Sequence, residues 1–205
     1  VGAILVVDAT QSMGMVPIDA VASGADVIIS SGYKWLRGTY GTAVGYLSPE
    51  AKKLVPGIVG FRSNEDIWDM RSDRMNLPED ASRFEFTTLH FGALRGLAAS
   101  IEEMLEIGIE RIWEHDLSLS DMVVELASSR GLEVTSPKDD DQRSAIVSIR
   151  PPSEHHSAEI VRRLQDEFGI LVTDRSGMIR VSPHIDNDHS QIEFLFTSLD
   201  KILAN

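Results

Sequence analysis

The sequence of 205 residues has no cysteine and few positive charges for its length. The lack of cysteine excludes disulfide bonds, thiolate zinc sites, iron–sulfur ligation and a cysteine nucleophile from this stretch of chain. The 19 lysine and arginine residues are outnumbered by 32 aspartate and glutamate residues, which gives a formal net charge of -13. Neutralising phosphates requires clustered cations, so we expect neither nucleic acid nor an anionic membrane as a partner.

Long apolar runs are also missing. No segment approaches the roughly 18–20 apolar residues that a membrane helix needs, and we expect a cytoplasmic protein. The apolar run from Val1 to Val7 has no basic flank and continues directly into Asp8, unlike a signal peptide. Because the chain starts with valine on a strand-like run, we interpret it as a fragment cut from the interior of a longer protein.

Histidine and acidic residues do not have the spacing of a metal site. His155 and His156 are adjacent and point in different directions in any regular element, and His184 and His189 lack the i, i+4 spacing of a helical zinc pair. The acidic run 139–141 lacks the glycine and the distal glutamate of a calcium loop. We expect no bound metal.

The hydrophobic content of 42% is ample for a buried core, and its pattern predicts the elements. In the first third of the chain, residues 3–7, 27–31 and 43–47 are apolar runs typical of strands, the first of them a parallel strand covered on both faces. Three such strands indicate an α/β fold, here the end of a mostly parallel central sheet with flanking helices. The polar segment 55–81 is too long for an ordinary connection and indicates a functional loop or a docking arm.

The rest of the chain predicts two helices and then a compact α+β unit. Apolar residues at helical spacing between Leu94 and Leu105 stop at Gly108, and a second helix is expected over 109–129. The C-terminal unit is predicted to contain strands at 132–134, 145–149, 170–173 and 178–181, a helix over 157–168 and a closing helix that includes 192–203. A boundary between two domains is expected around residues 95–115.

Two ionisable groups of opposite sign follow predicted strands. Asp8 ends the first strand, and Lys34 follows the second strand and precedes several glycines. Ligands of open α/β sheets bind at the carboxyl ends of strands, where a partly desolvated lysine can act as a Schiff-base nucleophile. The residues alone leave open a second interpretation, in which Asp8 and Lys34 form an ion pair that closes a strand end.

Three separated stretches, in order along the chain, resemble the class V aminotransferases. These are fold-type I pyridoxal-phosphate enzymes, a group that includes cysteine desulfurases, kynureninase-like and isopenicillin-epimerase-like proteins. The matching stretches are 7–11 with 24–26 and 31–34, then 83–88, and finally 179–187. The resemblance covers nearly the whole chain but only the second half of the family's usual length. It implies that residues 1–100 are the C-terminal part of the large cofactor-binding domain, that 101–205 are a smaller α+β domain, and that the N-terminal half is absent.

The resemblance also implies a role for each matching residue. Asp8 would contact the pyridine nitrogen of pyridoxal phosphate and keep it protonated. Lys34 would form the Schiff base with the cofactor and move protons at the α-carbon of the substrate. The other implied contacts are Gln11 with the phenolic oxygen, Ser31 with the phosphate, Tyr33 with the cofactor at the position where the family often has histidine, Thr88 with the phosphate of a neighbouring subunit, and Arg180 with the substrate carboxylate. The match of Thr88 implies a homodimer with shared sites.

Each of these matches has a simpler structural alternative. Gln11 can be a turn residue and Ser31 a cap at the end of a strand. Thr88 can be a helix N-cap, with residues 89 and 90 opening the helix. Arg180 alternates with apolar neighbours, so it can lie on the solvent face of an edge strand.

The resemblance predicts an enzyme that acts on an amino acid by transamination, epimerisation or β-elimination with pyridoxal phosphate. The desulfurases of the group take sulfur from the substrate with a cysteine, and this chain has none. Two alternatives stay open: a non-catalytic, truncated or degenerate dimerisation domain, and a cofactor-free Schiff-base lyase. In the family a ring-stacking aromatic and a first phosphate-binding turn lie upstream of Val1, so we expect an incomplete pocket and a self-associating chain with exposed apolar surface.

Overall fold

The computed structural model describes residues 2–204, which divide into two compact units, Val1–Glu106 and Ile107–Asn205. We call them the first and the second unit. The terminal residues Val1 and Asn205, where the two predicted domains begin and end, lie outside the described residues. The sequence predicted a division after residue 100, and the structure divides the chain after Glu106.

The first unit contains a sheet of three strands, β1 (Val6–Asp8), β2 (Val27–Ser31) and β3 (Ala43–Leu47), in the order β1-β2-β3. β1 and β2 are parallel, and β2 and β3 are antiparallel. The segment 32–42 between β2 and β3 is too short for the crossover that a parallel pair requires, so the chain returns antiparallel. The bounds predicted for β2 and β3 are confirmed, whereas β1 begins three residues later than the apolar run.

The two faces of this sheet differ in burial. Val7 and Ile28 are cross-strand partners and belong to a small buried cluster on one face. On the opposite face, Val6 is 58% and Ile29 46% exposed, because side chains alternate across a strand. The expectation that the first strand is covered on both faces is therefore wrong for the described residues. We call the side that carries Val6 and Ile29 the open face.

Irregular chain connects β3 to the first helix. It contains three short 3-10 turns, at Ala51–Lys53, Phe61–Ser63 and Ala81–Phe84. The predicted loop over 55–81 is confirmed as a segment without strands or α-helices. Its shape is maintained by local ion pairs, which are Arg71 with Asp73, Arg74 with Asp69, and Arg62 with Glu85.

Two consecutive helices follow, α1 (Phe91–Ile107) and α2 (Ile109–Ser129), separated by Gly108. These bounds confirm the predicted stop at Gly108 and the second helix over 109–129. No helix among residues 2–204 is both long enough and apolar enough to cross a membrane.

The second unit contains an antiparallel sheet of β4 (Glu133–Val134), β5 (Val147–Arg150), β6 (Thr173–Arg175) and β7 (Met178–Val181), in the order β4-β5-β7-β6. Two further helices are α3 (Ser157–Phe168) and α4 (His189–Leu203). One face of the sheet packs against α2, α3 and α4. The buried core includes Leu119, Val123, Ile149, Leu164, Ile179, Phe196 and Leu199.

The strand predicted at 170–173 is shifted, because its first residues are used to end α3. The Ile170 N–H donates to the Leu164 carbonyl, which closes the helix. β6 begins at Thr173 and pairs with β7 through a tight hairpin. The two residues of its turn, Ser176 and Gly177, have φ values of 52 and 79°, as a two-residue hairpin turn of this hand requires.

Candidate active site

Asp8 and Lys34 lie at the same edge of the first sheet. β1 and β2 are parallel neighbours, so their carboxyl ends, Asp8 and Ser31, emerge side by side, and Lys34 follows Ser31 in the next turn. The hydroxyl and the backbone N–H of Thr10 hold the pKa of Asp8 below its usual value, partial desolvation acts in the opposite direction, and the positive charge of Lys34 lowers it further. The Asp8 carboxylate and the Lys34 amine therefore interact electrostatically at this edge of the first sheet.

Thr10 connects the two strand ends. Its backbone N–H donates to Asp8 Oδ1 at 3.0 Å, and its Oγ1 accepts from the Ser31 N–H at 3.1 Å. The sequence reasoning missed this residue. An aspartate at a strand end that accepts from the N–H two residues later is the pattern of an Asx turn, and this pattern was the available signal for Thr10.

Gln11 is fixed beside the loop that carries Lys34. The Trp35 Nε1–H donates to Gln11 Oε1 at 3.2 Å, and Trp35 is only 6% exposed. Gln11 is therefore more than a turn residue, because it connects the loop after β1 with the loop after β2.

Helix α1 supports the turn on which Lys34 lies. Ser100 Oγ donates to the Leu36 carbonyl at 2.8 Å, and Arg37 forms an ion pair with Glu103 at 2.9 Å. Gly38 allows the close approach, since a Cβ at this position would lie 2.6 Å from Leu97 Cδ1. The lysine thus lies on a turn that is packed rather than free.

Tyr33 provides an aromatic surface beside the amine. Its ring stacks on Tyr40 with the centroids 4.5 Å apart, and Lys34 Nζ lies 5.8 Å from the Tyr33 centroid. Both rings are exposed, Tyr33 by 40% and Tyr40 by 80%. The structure therefore places the flat face of Tyr33, rather than only its hydroxyl, next to the lysine.

Thr88 is exposed in the segment that precedes α1. The alternative in which Thr88 caps a helix opened by residues 89 and 90 is wrong. The helix begins at Phe91, and His90 Nδ1 accepts from the Ala93 N–H at 3.3 Å. The imidazole therefore supplies the acceptor that a threonine cap would have supplied.

Arg180 lies in the second unit, on β7. The edge-strand alternative is wrong, because β7 is paired on both sides, with β5 and with β6. The guanidinium is half-buried, and its Nε donates to Ser182 Oγ at 2.9 Å. Burial lowers the pKa of Arg180, and the positive charge of Arg175 lowers it further.

A hydrogen bond between Asp116 and His184 connects α2 with the loop after β7. Asp116 on α2 has a fully buried side chain, and its Oδ2 lies 2.7 Å from His184 Nδ1. From the sequence, His184 was weighed only as a possible metal ligand together with His189. In the structure, His189 Nε2 lies 3.4 Å from Ser118 Oγ instead, and no group of three potential metal ligands occurs among residues 2–204.

The edge formed by Asp8 and Lys34 fits pyridoxal phosphate in three respects. The lowered pKa keeps the carboxylate of Asp8 negative, as a protonated pyridine nitrogen requires. An amine lies within electrostatic reach of that carboxylate. The hydroxyl of Ser31, at the carboxyl end of β2, is a donor that suits a phosphate or a phenolic oxygen.

Comparison with known proteins agrees with this geometry. The family described as Aminotransferase class-V matches residues 1–195. The chain belongs to this family. The predicted family and the predicted α/β fold are thereby confirmed, and pyridoxal phosphate, the cofactor that the resemblance implies, is supported.

Individual relatives of this class V aminotransferase chain match almost all of it. It is 29% identical to a probable cysteine desulfurase of Methanothermobacter thermautotrophicus, over 98% of this chain and 54% of the relative. The solved apo structure of a cysteine desulfurase from Thermococcus onnurineus superposes with a TM-score of 0.88 at 27% identity, over 99% of this chain and 53% of the other. The chain therefore spans about half the length of the relatives that it matches.

A second solved structure concerns the cofactor. A mutant of the lyase C-DES, described with glycine covalently linked to its pyridoxal-phosphate cofactor, superposes with a TM-score of 0.82 over 92% of this chain and 49% of the other. At 21% identity this likeness shows a shared fold.

Proposed function

We propose that this chain is part of a pyridoxal-phosphate enzyme that acts on an amino acid by transamination, epimerisation or β-elimination. The observation that carries the proposal is the position of Asp8 and Lys34 at one edge of the first sheet, where the amine contributes to the lowered pKa of the carboxylate. Membership of the class V aminotransferase family supports the same reaction class.

Asp8 and Lys34 have complementary tasks in this proposal. The cofactor, when bound, supplies a ring that accepts electron density from the α-carbon of the substrate. Asp8 stays ionised and holds a proton on the pyridine nitrogen. Lys34 would hold the cofactor through its aldehyde carbon, with water as the leaving group, and its amine would then move the α-proton of the substrate. The packing of Trp35 and Leu36, both 6% exposed, against the rest of the first unit positions this amine.

The remaining predicted residues bind rather than react. We assign Gln11 to the phenolic oxygen and Ser31 to the phosphate, because both lie on the loops that flank Asp8 and Lys34. Tyr33 forms a wall of the cofactor site. The other two assignments are Arg180 to the carboxylate of the substrate, where its planar fork suits two oxygens, and Thr88 to the phosphate of a neighbouring subunit in a homodimer.

The lack of cysteine separates this proposal from the activity that the names of several relatives state. A chain without a thiol cannot itself accept sulfur from a substrate as a persulfide. We therefore propose chemistry at the α- and β-carbons of the amino acid. The cytoplasmic location expected from the sequence stays a prediction.

Cofactor binding by the purified chain tests the proposal. Pyridoxal phosphate is expected to produce a visible absorption band, and borohydride reduction is expected to attach it covalently to Lys34, as peptide mass spectrometry would show. Lys34→Ala abolishes both signals. The matched control is Lys53→Ala, because Lys53 is an exposed lysine at the end of a 3-10 turn, and we expect this variant to behave like the wild type.

Other outcomes favour the alternatives. Attachment of the cofactor to Lys53 or to several lysines would contradict the assigned site. Borohydride trapping of a carbonyl substrate on Lys34 without cofactor would indicate a Schiff-base lyase. No band with either the chain or a version extended upstream would favour a non-catalytic dimerisation domain, an alternative that the exposed apolar side chains Val6 and Ile29 of the first unit also suit.

A further inference from the structure

The polar face of the second sheet carries two arginines close together. Thr173 pairs with Arg180, and Arg175 pairs with Met178, in the antiparallel register of β6 and β7. Directly paired residues and residues two apart share a face, so Arg175 and Arg180 lie on the same side as diagonal neighbours. Diagonal positions of this kind are about 7–8 Å apart, which is within reach of two long side chains.

The two positive charges act on each other. The pKa of Arg180 is lowered by burial first and by the charge of Arg175 second. Like charges at neighbouring cross-strand positions destabilise a sheet. The tight hairpin through Ser176 and Gly177 nevertheless keeps both arginines on one face, so this hairpin maintains an unfavourable local charge.

Three other arginines of the second unit form ion pairs with carboxylates. Arg150, on the same face of the sheet, forms an ion pair with Glu133 at 2.7 Å. Arg130 pairs with Asp200, and Arg163 with Glu167. Arg175 is exposed and forms no ion pair with any carboxylate of the described chain. A guanidinium in that position is available to an anion that comes from outside the chain.

Polar groups around Arg180 suit anion binding. Ser182 Oγ accepts from Arg180 Nε at 2.9 Å, which fixes the plane of the guanidinium. Ser148 of β5 and Thr173 of β6 are the direct cross-strand partners of Arg180, so hydroxyl-bearing residues flank it on both sides. An anion bound here would meet two guanidinium groups and hydroxyl donors, and it would relieve the repulsion between the two arginines.

We propose that Arg175 and Arg180 together form a two-point anion site, and that the amino-acid substrate carries a second acidic group in its side chain. This inference rests on the proposed function, in which Arg180 binds the substrate carboxylate. Arg175 is then the residue that distinguishes an acidic amino acid from a neutral one of similar length.

Titration with small carboxylates tests this site without cofactor. The cofactor-free chain is titrated by calorimetry with succinate, which has two carboxylates, and with butyrate, which has one on the same number of carbons. We expect succinate to bind more tightly than butyrate. Arg175→Gln is expected to weaken succinate binding about tenfold, equivalent to about 1.4 kcal/mol, and to leave butyrate binding unchanged.

Two further variants make the outcome specific. Arg150→Gln removes an equal charge from the same face, but one that Glu133 already neutralises, and it is expected to leave both titrations unchanged. Arg175→Lys keeps the charge without the planar fork and is expected to restore part of the preference for succinate. A parallel titration with 3-phosphonopropionate distinguishes a site for dicarboxylates from a site that prefers a phosphate-like second group.

Two results would overturn the inference. One is an equal affinity of the wild type for succinate and butyrate. The other is an equal weakening of both ligands by Arg175→Gln while its circular dichroism spectrum stays native. Either result removes the second anion point. The proposed function is judged by the absorption band and by the attachment to Lys34, neither of which involves Arg175, so the two ideas fail separately.

Discussion

The two units of the chain bury their apolar residues to very different extents. In the second unit, side chains of α2, α3, α4 and one sheet face form a single core. In the first unit, the sheet has a cluster of only Ala9, Ala25 and Ile28 with their neighbours. Among residues 2–204, all of the exposed large hydrophobic side chains except Leu171 and Phe194 lie in the first unit.

This difference indicates how each unit is stabilised. A core of many mutually contacting side chains supports the second unit from within. The first unit leaves an apolar strand face and an irregular connection exposed, and such surfaces mark sites of contact with other protein. The candidate catalytic pair lies in the less self-supported unit, so the loops at that site depend on local hydrogen bonds such as those of Thr10 and Gln11.

The largest expected effect is in the core of the second unit. Phe196 is fully buried there, and Phe196→Ala is expected to lower the free energy of unfolding of this unit by about 4 kcal/mol. The matched change Phe86→Ala in the first unit, where the ring is 46% exposed, is expected to cost less than about 1 kcal/mol. Urea unfolding followed by circular dichroism compares the two variants, and equal losses would contradict the difference between the units.

The buried hydrogen-bonded pair of Asp116 and His184 in the second unit gives the next largest effect. Asp116→Ala removes the buried carboxylate that lies 2.7 Å from His184 Nδ1, and we expect a loss of about 3 kcal/mol in the free energy of unfolding. Asp121→Ala, on the same helix but with an exposed ion pair to Arg143, is expected to cost at most about 1 kcal/mol. If both variants unfold at the same urea concentration, the pair does not stabilise the loop after β7.

The open face of the first sheet is expected to affect association far more than stability. Val6→Thr combined with Ile29→Thr keeps β-branched residues in the strands and is expected to change the free energy of unfolding by no more than about 0.5 kcal/mol. The same variant is expected to bind less of a hydrophobic fluorescent dye and to self-associate less. Leu171→Thr, a change at an exposed position of the second unit, serves as control, and an equal decrease in dye binding there would show that the open face is not special.

The smallest effect is a change in the titration of Asp8. Thr10→Val removes the hydroxyl that lowers the pKa of Asp8, so this pKa is expected to rise toward the ordinary value of about 3.9. Because the folded-state pKa lies below the unfolded one, the associated stabilisation is present at pH values above the unfolded pKa and disappears as the pH falls through the folded pKa. Carboxyl carbon NMR measures the shift. An unchanged midpoint would mean that the backbone N–H of residue 10 and the charge of Lys34, rather than the Thr10 hydroxyl, lower this pKa.

Much of the secondary structure followed from the sequence because its signals are local. The bounds of β2, β3, β7, α2 and α3 agree with the predicted ones, since apolar periodicity and turn residues act over a few positions. The shift of β6 to Thr173 did not follow, because residues 170–172 were used to end α3. Ending a helix and starting a strand compete for the same apolar residues, and only packing decides between them.

The candidate site likewise has features that were predicted from the sequence and features that were not. The assignments of Asp8, Lys34 and Arg180 came from residue types and the order of the motifs, and they stay predictions. The contact of Thr10 with Ser31 was not predicted, because it joins residues twenty-one apart along the chain. The contact of Thr10 with Asp8 is local and was missed although the Asx-turn pattern indicates it. The capping role of His90 was also missed, since an imidazole acceptor has no strong sequence signal.

The amino-acid sequence by itself indicated the family and most of the strand and helix pattern, because each depends on residue identity and short-range order. Only the tertiary structure decided which groups act on one another: Lys34 on Asp8, Asp116 on His184, and Arg175 on Arg180. These pairings depend on strand register and helix packing, which bring distant residues together through the burial of apolar side chains in the whole unit.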